Sequence, residues 1–444
     1  MTDFKRPANP QEFEENFEQL HPIMNATQAH YESSRCLFCH DAPCINACPT
    51  EIDIPLFIRQ INTNNLSGAA KTIYESNWLG NICGKVCPTE VLCEGACVYN
   101  HQEVKPIEIG RLQSYASSVA INRNKHLFEK ALDNGKKVAV VGAGPAGISA
   151  ACELALLGCM VTVYEAKELP SGLALYGVAP YKILNDTVLE EVEYLQKQFG
   201  FHIKYQHPLQ AAEDFEQLDR AFDAVFLGIG LGSTRELQLE GESLDGCWGA
   251  VEFIEMLKTL QHKAMVGKKV VVLGGGNTAM DAASEACRLG AEQVVLAYRR
   301  SKDEMRAYEF EYELAKSVGA VGLWNVTPLA ILGEEKVVGV LFIETRTIDK
   351  KLETIPGSDY TIDCDMVIKA TGQNKQKALV QLIPGIQTDP SGRILTVNDL
   401  GQTHNARYFT GGDAMNGGKE VVNAVAEAKV AARGIHQYLT ENQG

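Results

Sequence analysis

Eight of the thirteen cysteines lie within the first hundred residues, in two tight runs. The first is Cys36-x2-Cys39-x4-Cys44-x3-Cys48-Pro49. The second is Cys83-x3-Cys87-Pro88, followed by Cys93-x3-Cys97. Thiolates at such spacings hold iron–sulfur clusters, and a Cys-Pro at the end of one run can ligate the neighbouring cluster. Two clusters bound by interleaved runs are therefore expected. A structural zinc site would show paired CxxC units, and only one occurs here. A disulfide framework would need an oxidising compartment; the opening MTDFKRPANP has no signal-peptide character, and the expected location is cytoplasmic. The other cysteines (Cys152, Cys159, Cys247, Cys287 and Cys364) have no ligand spacing and read as core or surface thiols.

A second kind of chemistry starts at Lys137. KVAVVGAGPAGISAACELALLGCMVTVYEA reads as strand, glycine turn, helix and strand. The turn is Gly142-x-Gly144-x-x-Gly147, and the second strand ends at Glu165. Such glycines let the backbone approach a pyrophosphate at a helix N-terminus, and the acid accepts from a ribose hydroxyl. The pattern returns in KKVVVLGGGNTAMDAASEACRLGAEQVVLAYRR as Gly274-x-Gly276-x-x-Ala279, with Asn277 and Thr278 opening the helix. Here the second strand ends in Arg299-Arg300, and Arg306 follows. Guanidinium groups suit a 2′-phosphate, so the second fold is expected to take NADP(H), with NAD(H) as the other option. A solvated charged loop is the plainer account of the same arginines. Two dinucleotide folds in one chain suggest a flavin, FAD, in the first and a nicotinamide in the second.

Residues 1–130 lack strand alternation. QEFEENFEQL and SGAAKTIYESN read as helices, the latter with Ser67 or a nearby Asn as N-cap. The FAD fold is expected over 131–230 and 367–444, with the nicotinamide fold inserted at 231–366. Crossings are expected near Phe226-Leu-Gly228-Ile-Gly230 and Ile368-Lys-Ala370-Thr371-Gly372. YFTGGDAMNGG, ahead of a long helix, offers Gly412 and Asp413 to the flavin's ribityl and phosphate groups; Asp413 as a simple helix cap is the alternative. The chain has 444 residues, a net charge of −15 and a pI near 5.2. That disfavours nucleic acid, and the apolar run from Val138 to Val163, broken by Glu153 and glycines, is not a membrane span.

The stretches SRCLFCHDAPCINACPTEIDI, CGKVCPTEVLCEGAC and PIEIGRLQSYA resemble the N-terminal half of dihydropyrimidine dehydrogenase and its separate bacterial counterpart subunit; the small subunit of glutamate synthase is a more distant relative. The resemblance covers essentially the whole chain. It implies an α/β architecture: a helical domain with two 4Fe–4S clusters, then two Rossmann-like domains of the adrenodoxin-reductase type, for FAD and NADPH. It also implies ligands. Cys36, Cys39, Cys44 and Cys97 would hold the first cluster. Cys48, Cys87, Cys93 and Gln113 would hold the second, leaving Cys83 without a ligand role, whereas spacing alone would use all eight cysteines. One segment departs from the pyrimidine enzymes: Ser171-Gly172-Leu173, continuing to Tyr181-Lys182, looks closer to adrenodoxin reductase.

The resemblance implies a route from NAD(P)H through FAD and the clusters to a partner. Hydride transfer needs alignment more than acid–base groups, so no catalytic side chain is assigned. The chain is too short to add a pyrimidine-reducing barrel of about 250 residues. The implied partner is an FMN- and iron–sulfur-containing barrel subunit that reduces uracil or thymine. A glutamate synthase small subunit, or a ferredoxin–NADP reductase-like electron-transfer subunit, is the alternative enzyme; a redox-sensing cofactor-binding protein is the alternative outside catalysis.

Overall fold

The computed structural model describes residues 3–441. The chain divides into two compact units. Of the described residues, the first gathers 20–175, 182–231 and 375–441; the second gathers 3–19, 176–181 and 232–374.

The first unit opens with helices whose ends are written locally. Asn25 starts Ala26–Ser34 with a reciprocal cap: Gln28 N donates to its side chain, and its own N–H donates to Gln28 Oε1. Asp53 caps Ile54–Asn62, which carries Pro in its first turn. That helix buries Ile54, Phe57, Ile58 and Ile61, the spacing of one helical face. Each such side chain contributes about 1.5–3 kcal/mol on burial. Leu66–Ser76 starts at Asn65, whose side chain accepts from Gly68 N, so the expected cap is the asparagine rather than Ser67.

Beyond Ile109–Asn122 the chain enters a parallel sheet. Its strands are β1 (Lys137–Val141), β2 (Met160–Tyr164), β3 (His202–Lys204) and β4 (Ala224–Leu227). Val138 to Val141 are all buried, as in a sheet covered on both faces. The helices Pro145–Leu156 and Val421–Glu441 pack against each other.

The second unit holds β5 (Cys247–Gly249), β6 (Lys269–Leu273), β7 (Gln293–Tyr298) and β8 (Ala320–Trp324). An antiparallel sheet follows, built from β9 (Val326–Leu332), β10 (Gly339–Ile348), β11 (Lys351–Thr354) and β12 (Tyr360–Asp363). β13 (Met366–Lys369) then inserts between β5 and β6, completing a parallel order β5-β13-β6-β7-β8. The chain returns to the first sheet with β14 (Tyr408–Thr410), giving β14-β4-β1-β2-β3.

Two segments group differently from the ranges read in the sequence. Residues 3–19, expected within 1–130, and residues 176–181, expected within 131–230, belong to the second unit. The reason is packing: Phe13, Phe17, Ala179 and Tyr181 are buried in its core. Asn16 Nδ2 also donates to Arg288 O at 2.7 Å, while Arg288 Nη1 donates to Asn16 O at 2.6 Å. The outer ends of the expected ranges, residues 1–2 and 442–444, lie outside the described residues.

Candidate functional site

Cys36, Cys39, Cys44 and Cys97 line one cavity. Ile54, Ile58, Ile107 and Ile109 complete much of its wall. Cys97 lies more than fifty residues from the others, so its arrival there is a tertiary event. The remaining thiols gather elsewhere. The Cys87 thiol is hydrogen-bonded to Cys83 and feels Cys93 and Cys48. Among the described residues, no three His, Cys, Asp or Glu side chains are grouped for a single metal ion. The first four thiols instead border a shared cavity.

Burial pushes the Cys44 thiol up to about 12. Cys87 lies well above the usual thiol range, through the Cys83 hydrogen bond and then burial, and Cys93 does so through burial and the neighbouring Glu94. Thiolates at these places need compensating positive charge, as iron supplies. The donor set and the shared cavity fit sulfur-ligated clusters.

Gln113 lies buried on Ile109–Asn122. Its Nε2 donates to Gly80 O at 2.7 Å, at the start of the helix Gly80–Val86, which carries Cys83. Two glycines let these helices approach: a Cβ on Gly84 would lie 2.7 Å from Gly110 O, and one on Gly110 would lie 2.8 Å from Gly84 O. Gln113 and Cys83 thus stand on facing helices.

The first glycine turn joins β1 to Pro145–Leu156. Gly142 has φ +97°. A Cβ on Gly147 would meet Gly142 O at 1.8 Å, whereas one on Gly144 would meet nothing within 4 Å. Gly142 and Gly147 therefore serve packing, and Gly144 leaves open the space a pyrophosphate needs. Glu165, at the end of β2, accepts from Ala143 N at 2.7 Å and Lys167 N at 2.8 Å. Ser171 N donates to Ala143 O, and Gly172 (φ +49°) approaches Gly144 Cα, with Leu173 opening the next short helix. From the far end of the chain, Gly412 (φ +70°) packs on Ala146 and donates to Glu427 Oε2. Asp413 is not the cap of its short helix, a place taken by Gly412; its carboxylate accepts from Lys419 N at 3.1 Å. These residues fit FAD: a bare helix N-terminus, an acid and two glycine loops meet in one place.

The second turn repeats this in its own unit. Gly274 packs against Ala370, while a Cβ on Gly276 would meet nothing within 4 Å. Asn277 Oδ1 accepts from Tyr308 N, and Thr278 is exposed in the first helical turn. Arg299 and Arg306 are exposed, and Arg300 is half-buried. Arg306 N and Ala307 N both donate to Gly275 O at 3.0 Å, so the loop after β7 folds back onto the glycine turn. Sequence reading named Arg306 without its route to the turn. Gly372 (φ +89°) lies beyond β13, where its carbonyl accepts from Arg235 N. No helix among the described residues is long and apolar enough to cross a membrane.

Residues 13–125 match the family described as dihydropyrimidine dehydrogenase domain II, 4Fe-4S cluster. Residues 136–428 match the family described as pyridine nucleotide-disulphide oxidoreductase. The chain is 34% identical over 423 residues to the NAD-dependent dihydropyrimidine dehydrogenase subunit PreT of Escherichia coli K12, covering 95% of this chain and 97% of that one. It is 33% identical over 456 residues to the glutamate synthase (NADPH) small chain of Halomonas elongata, covering 98% and 95%. Among solved structures, Mycobacterium tuberculosis FprA in complex with NADPH aligns with a TM-score of 0.58 at 19% identity, over 69% of this chain and 85% of that one. That last likeness shows the fold.

Proposed function

Since the chain belongs to the pyridine nucleotide-disulphide oxidoreductase family and carries a dihydropyrimidine-dehydrogenase-type 4Fe-4S domain, we propose that it is the electron-input subunit of a dihydropyrimidine dehydrogenase. Electrons enter from NAD(P)H, pass through FAD and two 4Fe–4S clusters, and leave to a partner subunit that reduces uracil or thymine. The observation that carries this reading is the meeting of Cys36, Cys39, Cys44 and Cys97 around one cavity, in a chain that also has two open glycine turns.

When bound, the flavin supplies the exchange between two-electron nicotinamide chemistry and one-electron cluster chemistry. The chain's residues bind and orient. Gly144 leaves room for the flavin pyrophosphate at the N-terminus of Pro145–Leu156, and Glu165 stands where the ribose hydroxyls would lie. Gly172, Leu173, Gly412 and Asp413 would flank the flavin from two further loops, and Gly372 would stand at the crossing after β13. Gly276, Asn277 and Thr278 would receive the nicotinamide dinucleotide's pyrophosphate; Arg299, Arg300 and Arg306 would meet its adenosine end. Cys36, Cys39, Cys44 and Cys97 would hold one cluster, and Cys48, Cys87, Cys93 and Gln113 the other. In this division a helical domain precedes a flavin domain interrupted by the nicotinamide domain.

A second reading has comparable support from identity: the small chain of a glutamate synthase, feeding electrons to a different partner. The two separate in one experiment. The purified chain should contain about eight irons and one FAD and reduce dyes with NAD(P)H, but not uracil. Added to a pyrimidine-reducing FMN barrel subunit it should form dihydrouracil. Zinc without acid-labile sulfide would end the cluster reading. Glutamate formation with a glutamate synthase large subunit, and no dihydrouracil with a pyrimidine partner, would select the second reading.

A further inference from the structure

The loop after β7 carries a carboxylate among its guanidinium groups. Glu304 ends the 3-10 turn Lys302–Glu304 and folds back toward the strand. Its Oε2 accepts from Ser301 N at 3.3 Å and Ser301 Oγ at 3.1 Å. Its Oε1 accepts from Thr347 Oγ1 at 3.3 Å. Its backbone carbonyl accepts from Tyr298 Oη at 3.1 Å. The carboxylate is thus held, and it lies 3.8 Å from Arg300 Nε. Lys302 does not neutralise it, since its amine is engaged by Glu309 at 3.0 Å and Glu313 at 3.7 Å.

We propose that Glu304 sets how strongly the site distinguishes a 2′-phosphate from a 2′-hydroxyl. The inference rests on reading the end of β7 as the adenosine-ribose end of the nicotinamide site. A 2′-phosphate approaching Arg300 meets two penalties from Glu304. The carboxylate already occupies one side of the guanidinium, and its charge repels the incoming dianion. A 2′-hydroxyl carries no charge and escapes both. Arg299 and Arg306 attract the phosphate; Glu304 tempers them and keeps NADH usable. Glu304 is a specificity-determining residue that acts through Arg300.

The test uses the full chain with its flavin and clusters. Dissociation constants for NADP+ and NAD+ are measured by calorimetry, and kcat/KM for NADPH and NADH by dye reduction. Glu304→Gln should tighten NADP+ by about fivefold, the scale of a partly exposed charge pair, and leave NAD+ within about twofold. In an Arg300→Ala background the same change should gain nothing. Equal shifts for both nucleotides would mean that Glu304 only caps the turn, and a gain that persists without Arg300 would also overturn the proposal. Should Glu304→Gln misfold, Glu304→Asp keeps an acid at the end of the turn while its shorter side chain draws the charge away from Arg300. The ratio of NADP+ to NAD+ affinity should then rise, and an unchanged ratio counts against the idea. If the wild-type chain binds neither nucleotide, the underlying site reading falls, and this inference with it.

Discussion

The Gln113 amide nitrogen donates to the Gly80 carbonyl at 2.7 Å, across the close contact between Gly80–Val86 and Ile109–Asn122. With the nitrogen committed to the backbone, the side-chain oxygen is the atom this residue can offer to iron. Gly80 lies three residues ahead of Cys83, whose free thiol is hydrogen-bonded to that of Cys87.

That arrangement separates two ligand sets. With Gln113 as ligand, Cys83→Ser keeps about eight irons and both cluster signals, while Gln113→Leu disturbs one cluster. Gln113→Cys should shift that cluster's potential, because a thiolate replaces a neutral oxygen. Iron analysis and low-temperature electron paramagnetic resonance read the outcome. Loss of a cluster in Cys83→Ser, with Gln113→Leu silent, assigns all eight cysteines instead.

The two glycines of the first turn should respond oppositely to one methyl group. At Gly144 the Cβ meets no protein atom within 4 Å, and φ is −70°, so Gly144→Ala should fold normally. It should nevertheless weaken FAD binding by at least about tenfold, because the methyl fills the pyrophosphate's space. Gly147→Ala puts a Cβ 1.8 Å from Gly142 O and should lower the unfolding midpoint. Flavin content and circular dichroism of the two variants check this. Retained FAD in Gly144→Ala argues against the turn as a flavin site.

Replacing Arg299 and Arg300 together by Ala should raise the KM for NADPH and leave that for NADH nearly unchanged. Each lost charge-assisted bond is worth about 1.5–3 kcal/mol. Steady-state dye reduction decides it, and an unchanged NADPH KM makes these arginines ordinary surface charge.

Glu191 predicts a pH effect. It is wholly buried in the first unit, where it accepts from Tyr74 Oη, Asn81 N and Ile82 N. Burial outweighs these donors and lifts its carboxyl to about 7. The folded protein then holds a proton that the unfolded chain has released above about 4.5. This group's stability is fully present below that lower value and is lost as pH rises through 7. Between pH 5 and 8 the wild type should lose up to about 3 kcal/mol relative to Glu191→Ala. Parallel unfolding profiles for the two proteins across that range would refute the assignment.

The local parts of the site were legible in the sequence. Glycine turns depend on φ and Cβ clearance, so Gly142, Gly147 and Gly274 betray their turns wherever they stand. The asparagine cap expected ahead of Leu66–Ser76, found at Asn65, acts within one turn of chain. Cysteine spacing marked a thiol-rich segment, because a few residues limit how far two thiols can separate. None of these signals reaches across the fold.

What met what was decided by tertiary packing. Spacing alone did not group Cys97 with Cys36, Cys39 and Cys44; only the resemblance implied it, and the shared cavity brings them together. Nothing local tells Phe13 and Phe17 to leave the helical segment for the second unit's core. The return of Arg306 to Gly275 likewise depends on segments far apart in the chain, whereas Glu304 reaches Arg300 within one turn and only its bond from Thr347 comes from a distant strand. The physical reason is range. Propensity, capping and turn strain act over a few residues, while burial of apolar faces acts on whichever distant segments can bury one another. The residue types that do the chemistry are therefore set locally, and their company is set by the folded core.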